Sequence, residues 1–206
     1  MDKIISLAPF NYYKLQMLIG YLSIKHYKTF NLYSVNQFHV LVDAIHVIKH
    51  GSPVVGGRLD AWHCGPMFPD TYHLVNEWFE NYDKSGEHPD ELEIVETESS
   101  AFHDYNEMRC LEVDCKFKTV YADEFSKLEL ESLDFAWKEI GNKTPHECNL
   151  YLTDDKGSFL GEVYSKAIKN EDKGIDWLDV IGTYERWHDV ECRLAKLAVK
   201  SWSEYD

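Results

Sequence analysis

The polar residues best suited to chemistry lie on one predicted helix. His39, Asp43, His46 and His50 are spaced by four, three and four residues, so their side chains share one helical face. Histidines four apart can hold a transition metal, with Asp43 as a ligand or as an orienting group. Alternatively, Asp43 and His46 form hydrogen bonds to the following glycine-rich loop or to each other, while His39 and His50 are solvated. Because the segment lacks a His-Glu-x-x-His pattern and a convincing further ligand, we expect this structural role, with no metal and no cofactor.

Cysteine and phosphate chemistry have weaker support. Cys64 follows His63, but neighbouring side chains of an extended segment diverge, so the two are poorly placed as nucleophile and base. Cys110 and Cys115 would point to opposite faces of a strand, which prevents them from sharing a metal. The glycines match neither of the common phosphate-binding patterns. We therefore expect a protein that is not an enzyme and has no catalytic residues.

Two helices precede the central loop. A stripe of apolar residues predicts a first helix over residues 10–26. Ser34 begins a capping box and a second helix, which ends at Gly51 before Pro53. Four glycines and three prolines between Gly51 and Pro69 then predict a folded loop with turns. A further helix follows from Pro69 and ends by 84–86. The apolar stripe of the first predicted helix consists of Leu15, Leu18, Ile19 and Leu22.

The second half of the chain mixes one hairpin with further helices. Alternation of apolar and polar residues predicts a strand from Leu111 to Tyr121, paired antiparallel with 92–97. Capping boxes at Ser126 and Thr144 begin two helices, and residues 159–168 read as another. A last helix is predicted to start at Thr183, with its apolar residues on or near one face. These residues are Trp187, Val190, Leu194, Leu197 and Trp202.

Together these elements predict an α+β fold that is mostly α-helical. We expect a compact helical domain with a central Gly/Pro-rich loop and an inserted antiparallel β-hairpin. The domain would span residues 1–175, with the hairpin at about 92–121. Residues 176–206 would form a C-terminal helical extension packed on the same domain.

The charge and composition of the chain restrict its partners and its compartment. Lys and Arg total 21 against 36 Asp and Glu, which gives a formal net charge of −15. Such a chain is poorly suited to bind nucleic acid directly but attracts a basic partner. No apolar run reaches the length of about 18 residues that a membrane span needs, and no secretion signal is evident. Five scattered cysteines suit reduced thiols without disulfides, so we expect a soluble cytoplasmic protein.

Three segments carry a family resemblance, and they run from Phe38 to His46, from His50 to Trp62 and from Gly65 to Tyr72. Together they resemble the Panacea domain of SocA-like antitoxins, and the segment 133–141 is similar to the closing part of that domain. In that family, a helix carrying Asp-x-x-His leads into a Gly/Pro-rich loop, a Gly-Pro pair and a Tyr that starts the next helix. Residues 34–79 would form the recognition core. The residues expected to bind a partner or to scaffold the loop are Asp43, His46, Gly57, Trp62, Gly65, Pro66, Phe68 and Tyr72.

The resemblance implies an antitoxin from a bacterial or prophage toxin–antitoxin pair. Its relatives bind their toxins directly, and in one instance act as a proteolytic adaptor. The expected partner is therefore a cognate toxin encoded in an adjacent gene, or a host protease adaptor system. The loop from Gly57 to Tyr72 and the hairpin would present the binding surface.

Two alternatives belong to other functional classes. One is a phage-encoded inhibitor whose acidic surface mimics nucleic acid against a host defence protein. The other is a metal-dependent hydrolase that uses His39, Asp43 and His46.

Overall fold

The computed structural model describes residues 8–25, 30–85, 92–93, 96–97, 112–113, 116–117, 124–170 and 173–202. Its helices are α1 (Tyr12–Lys25), α2 (Leu32–His50), α3 (Pro69–Ser85), α4 (Lys127–Ile140), α5 (Pro145–Thr153), α6 (Phe159–Ala167), α7 (Trp177–His188) and α8 (Arg193–Trp202). Its strands are β1 (Phe30–Asn31), β2 (Asp60–Trp62), β3 (Gly65–Met67), β4 (Leu92–Glu93), β5 (Glu96–Thr97), β6 (Glu112–Val113) and β7 (Lys116–Phe117). The predicted α+β class with mostly helical content is confirmed.

Helix α2 runs through the middle of the helical body. Fifteen of its nineteen residues are buried, and helices α1, α3, α4, α5, α7 and α8 all contact it. A helix that is buried on nearly all sides needs neighbours on all of those sides, which explains this arrangement. Its start differs from the prediction, because the helix begins at Leu32 and Ser34 lies inside its first turn. The predicted cap at Ser34 is therefore wrong.

The helix ends that were predicted from capping boxes are confirmed in α4 and α5. The Ser126 hydroxyl accepts from the Glu129 backbone N–H, and the Glu129 carboxylate accepts from the Ser126 N–H. Thr144 and Glu147 form the same reciprocal pair at the start of α5. Glu129 also forms an ion pair of 2.9 Å with Lys14, which ties α4 to α1. In α1, each residue of the predicted apolar stripe is at most 3% exposed.

The short strands form an antiparallel ribbon beside the helices. Leu92 pairs with Phe117 and Glu96 pairs with Val113, so the two described pairings share the same register. The expected antiparallel hairpin is thus present, and β1 adds a strand that the sequence did not indicate, since Phe30 also pairs with Val113. Parts of the predicted strand from Leu111 to Tyr121 lie outside the described residues.

The C-terminal prediction of one helix from Thr183 is wrong. Helix α7 already begins at Trp177, and it ends where Asp189 adopts a left-handed conformation with φ 51° before α8 starts at Arg193. Helix α8 buries Ala195 and Val199 rather than the larger apolar residues of the predicted face. Four of those residues are exposed: Trp187 (40%), Val190 (46%), Leu194 (82%) and Leu197 (56%).

Residues 51–68, called the central loop here, are covered by segments from both ends of the chain. The Gly57 N–H donates to the Ala8 carbonyl at 3.0 Å, and the Asn11 N–H donates to the Val55 carbonyl at 2.8 Å. On the other side, the Ala61 N–H donates to the Lys173 carbonyl at 2.7 Å. Strands β2 and β3 pair antiparallel as a hairpin inside the loop, where the sequence predicted turns. None of the helices in the described ranges has the length and apolarity to cross a bilayer.

Two glycine substitutions should have opposite effects on stability. Gly56 has φ 82°, and a Cβ there would lie 2.2 Å from the Pro9 carbonyl oxygen. Gly182 lies within α7, where a Cβ would meet nothing within 4 Å. We expect Gly56→Ala to lower the free energy of unfolding by roughly 3 kcal/mol, because of backbone strain and the clash. Gly182→Ala should raise it by about 0.5–1 kcal/mol, since Ala favours the helix. Urea denaturation measures the free energy of unfolding of both variants. Equal changes in the two variants would contradict this packing.

Candidate functional site

The central loop is held by a single buried carboxylate. Asp43 Oδ1 accepts the backbone N–H groups of Val54 at 2.9 Å and Val55 at 3.0 Å, and Asp43 Oδ2 accepts that of Gly56 at 2.8 Å. Asp43 is 0% exposed, so these bonds form away from water. A buried backbone N–H without a partner is costly, and a charged acceptor makes stronger hydrogen bonds than a neutral one. Asp43 therefore fixes three successive residues of the loop in one conformation.

His39 links this carboxylate to the start of α3. Its Nε2 lies 3.0 Å from Asp43 Oδ2, and its Nδ1 lies 2.9 Å from the Thr71 hydroxyl. Because the carboxylate can only accept, Nε2 donates, and in the neutral ring Nδ1 accepts from Thr71. The His39 ring also stacks on Phe68 with centroids 3.7 Å apart and planes 11° apart. The expectation that His39 is solvated is wrong, because it is 0% exposed between these groups.

Two further side chains of α2 bind the ends of the central loop. His46 Nδ1 lies 2.5 Å from the Ser52 carbonyl oxygen, near the start of the loop. Asn36 donates to the Pro66 carbonyl at 3.0 Å and accepts the Phe68 N–H at 2.9 Å. The expected hydrogen bonds from Asp43 and His46 to the loop are thus present. Sequence reasoning missed Asn36, although it lies three residues before His39 on the same helical face.

The residues named from the sequence separate into a buried group and a partly accessible group. Besides Asp43 and His46, the buried members are Gly57, Gly65, Pro66 and Phe68. Trp62 and Tyr72 are half-buried, with ring centroids 5.2 Å apart. The Trp62 carbonyl accepts from the Tyr164 hydroxyl at 2.8 Å, which ties the β2–β3 hairpin to α6. A Cβ at Gly65 would lie 2.5 Å from Asn149 Oδ1, so the hairpin also packs closely on α5.

The order Thr71–His39–Asp43 repeats the hydroxyl, imidazole and carboxylate of a hydrolase triad. All three residues are 0% exposed, and the loop N–H groups already occupy both oxygens of Asp43. A substrate would therefore have no route to the Thr71 hydroxyl in this conformation. What the arrangement does is hold the loop, α2 and α3 together.

A metal site with three or more protein ligands and thiol chemistry both find little support at the central loop. Across the part of the chain that the structure describes, no three His, Cys, Asp or Glu side chains are grouped so that they could hold a metal. Burial raises the pKa of the Cys64 thiol, and hydrogen bonds from its own backbone and from Tyr33 oppose this shift only in part. At neutral pH, Cys64 is therefore a thiol rather than a nucleophilic thiolate.

A groove of about 190 Å³ lies between α6 and α7, and Ile175 in its lining donates its N–H to the Leu59 carbonyl of the central loop at 2.7 Å. Its lining combines apolar residues with charged ones, among them Lys166, Asp179 and Arg186. Lys166 and Arg186 both pair with Glu162, at 2.5 Å and 2.7 Å, so the groove holds no isolated positive charge from these two side chains.

Replacement of Asp43 should destabilise the protein far more than replacement of Asp60, a carboxylate in the same loop whose side chain is 16% exposed. In Asp43→Asn, the amide has only one oxygen to accept from the loop, and its NH₂ group would face another donor. We expect a loss of about 3–5 kcal/mol in the free energy of unfolding, because buried donors lose their partner.

The matched control is Asp60→Asn. Asp60 pairs at 2.7 Å with Arg58, whose side chain is 46% exposed. The loss there should stay under about 1 kcal/mol. Urea unfolding of both variants measures the difference, and a small loss for Asp43→Asn would mean that the loop does not need this carboxylate.

Comparison with known proteins now identifies the family. A model of the antitoxin SocA-like, Panacea domain family matches residues 41–157, which is more than half of the 206-residue chain. No curated protein and no solved structure is significantly similar to the chain. The match begins just before Asp43 and includes the whole central loop, α3, α4 and α5. It confirms the resemblance seen in the sequence and supports an antitoxin role with a toxin as partner. The chain belongs to the Panacea-domain family of SocA-like antitoxins.

Proposed function

We propose that this protein neutralises a protein toxin by binding it directly, as a non-enzymatic antitoxin of a bacterial or prophage toxin–antitoxin pair. Family membership supports the antitoxin role. The sealed Thr71–His39–Asp43 cluster and the protonated Cys64 thiol favour binding over catalysis. The toxin gene is expected next to this one, and the complex is expected in the cytoplasm. Blocking of the toxin by occlusion is the simplest mode, and delivery to a host protease is the other.

The residues of the central loop act mainly as a scaffold in this proposal. Asp43, Gly57, Gly65 and Phe68 are buried, so they cannot form the centre of a contact surface. The turn between β2 and β3 is more accessible, with His63 exposed and Trp62 half-buried. The scaffold would hold this turn in a fixed position, where it contributes to a contact. The large apolar side chains with the greatest solvent exposure lie elsewhere in the structure.

The observation that carries the choice of surface is an exposed apolar set on α7, on α8 and in the connection between them. We call it the C-terminal apolar face, and it consists of Trp187, Val190, Leu194 and Leu197. Leu194 is 82% exposed and Leu197 is 56% exposed, three residues apart on the same side of α8. Large apolar side chains in this state are typical of surfaces that become covered by a partner. These residues lie beyond 157, where the family match ends.

We therefore propose that the C-terminal apolar face is the main toxin contact, and that residues 176–206 are an extension that gives this chain its partner specificity. Two facts support the idea of an extension fixed on the same domain. Helix α7 packs on α6, and α8 packs on α2 and α7. A Cβ at Gly51 would lie 2.4 Å from the Ala198 Cβ, so the end of α2 and α8 approach closely.

A charge change on the C-terminal apolar face tests this function. The double variant Leu194→Glu/Leu197→Glu should bind the purified toxin roughly 100-fold or more weakly, because buried apolar contacts would be replaced by carboxylates. Cells that co-express this variant with the toxin should no longer grow. Leu150→Glu is the matched control, because Leu150 is 51% exposed on α5, away from α7 and α8 in the sequence. It should bind within a few-fold of the unchanged protein.

Two outcomes would contradict the proposal at different levels. Growth rescue by the double variant would show that the C-terminal apolar face is not the contact. If no neighbouring gene is toxic on its own, the antitoxin proposal itself fails. Circular dichroism must show the same helical content in all variants, so that lost binding is not lost folding.

The net charge of −15 favours a second candidate, a phage-encoded inhibitor that mimics nucleic acid towards a host defence protein. Binding to such a basic partner would weaken steeply as salt is raised, since it depends on charge. Binding through the C-terminal apolar face would depend much less on salt. A salt titration of the complex therefore separates the two candidates.

A further inference from the structure

Two imidazole rings lie together at the C-terminal end of α2. His46 and His50 are one helical turn apart, their ring centroids are 4.7 Å apart, and their planes are tilted by 54°. His46 is 6% exposed, whereas His50 is half-buried and so leaves a route from solvent. The pair lies at the junction where α2 enters the central loop, beside α8. It takes no part in the bonds that Asp43 makes.

The hydrogen bond of His46 defines which of its nitrogens is free. Its Nδ1 lies 2.5 Å from the Ser52 carbonyl oxygen, and a carbonyl can only accept. Nδ1 therefore carries the hydrogen, and the neutral ring has its lone pair on Nε2. Within the described residues, this Nε2 is buried and has no hydrogen-bond partner. An imidazole fixed through Nδ1–H to a backbone carbonyl is the usual form of a metal-binding histidine.

His50 presents the same feature. Its Nε2 is also buried and lacks a hydrogen-bond partner within the described residues. Burial lowers the pKa of His50, and His46 and Lys49 lower it further, while the Glu131 carboxylate opposes the shift.

We propose that His46 and His50 bind one divalent transition-metal ion of the zinc class through their Nε2 atoms. The two rings are adjacent and each has a buried Nε2 without a hydrogen-bond partner among the described residues, so each nitrogen needs either a donor or a cation. Zn–N bonds are about 2.0–2.1 Å, so two imidazole centres on one tetrahedral ion lie on the order of 5 Å apart. The observed 4.7 Å fits this spacing. Imidazole nitrogen selects zinc, copper or nickel over calcium and magnesium, which prefer oxygen.

Water would take the remaining coordination positions, since no third His, Cys, Asp or Glu among the described residues is grouped with this pair. The Glu131 carboxylate, whose negative charge acts on His50, would favour a cation there. The bound ion would fix the end of α2 against Ser52 and thereby the start of the central loop. This role is separate from toxin binding, so it does not depend on the proposed function. It also differs from the hydrolase alternative, because His39 and Asp43 are fully occupied by other bonds.

The test uses the full chain with no polyhistidine tag, stripped of metal with a chelator and titrated with zinc chloride. At zinc about a hundred times its Kd, we expect the Tm to rise by roughly 5–10 °C. His50→Gln and His46→Gln should each abolish this rise. His63→Gln is the control, because His63 is exposed in the β2–β3 turn, and it should keep the full rise.

Three results would overturn the proposal. The first is no rise in Tm with zinc, cobalt or nickel, which would mean that water alone joins the two nitrogens. The second is a rise that persists in His50→Gln, which would place the metal at other ligands such as the cysteines. If a variant fails to fold, nitrogen NMR of the unchanged protein decides. Zinc must shift the Nε2 signals of His46 and His50, and unshifted signals are the third contradicting result.

Discussion

The fold depends on one buried carboxylate. It supplies the hydrogen-bond acceptors that the backbone of the glycine-rich central loop cannot supply for its own N–H groups. The central loop buries apolar side chains such as Val55, Leu59 and Phe68, which draws its backbone into the protein, where each N–H needs an acceptor. Asp43 supplies that acceptor to Val54, Val55 and Gly56 from a helix that is buried on nearly all sides. Through His39 it also fixes Thr71 at the start of α3. One side chain thus joins α2, the loop and the next helix.

Much of this scaffold could be predicted from the sequence, because it follows from local patterns. The polar face of α2 and the glycines after it predicted hydrogen bonds from Asp43 and His46, and capping boxes gave the starts of α4 and α5. The burial of His39 could not be predicted, since it depends on Phe68 stacking from a distant part of the chain.

The C-terminal helices were missed for a different physical reason. The apolar spacing continues from Trp187 to Leu197 as if one helix ran through it. The break at Asp189 depends on a left-handed backbone at a residue that is not glycine. With two separate helices, α8 buries Ala195 and Val199, while Leu194 and Leu197 remain exposed. In the function we propose, the buried scaffold within the family match supports the fold, and the exposed apolar face beyond it makes the partner contact.

Native-state hydrogen exchange of three amides tests the central claim most directly. The N–H groups of Val54, Val55 and Gly56 lie in a loop, yet each donates to the buried Asp43 carboxylate. If this carboxylate holds the loop, these amides exchange only when the whole protein unfolds, with the same free energy as amides in the middle of α2. Fast exchange through local opening, as in an ordinary surface loop, would contradict the account.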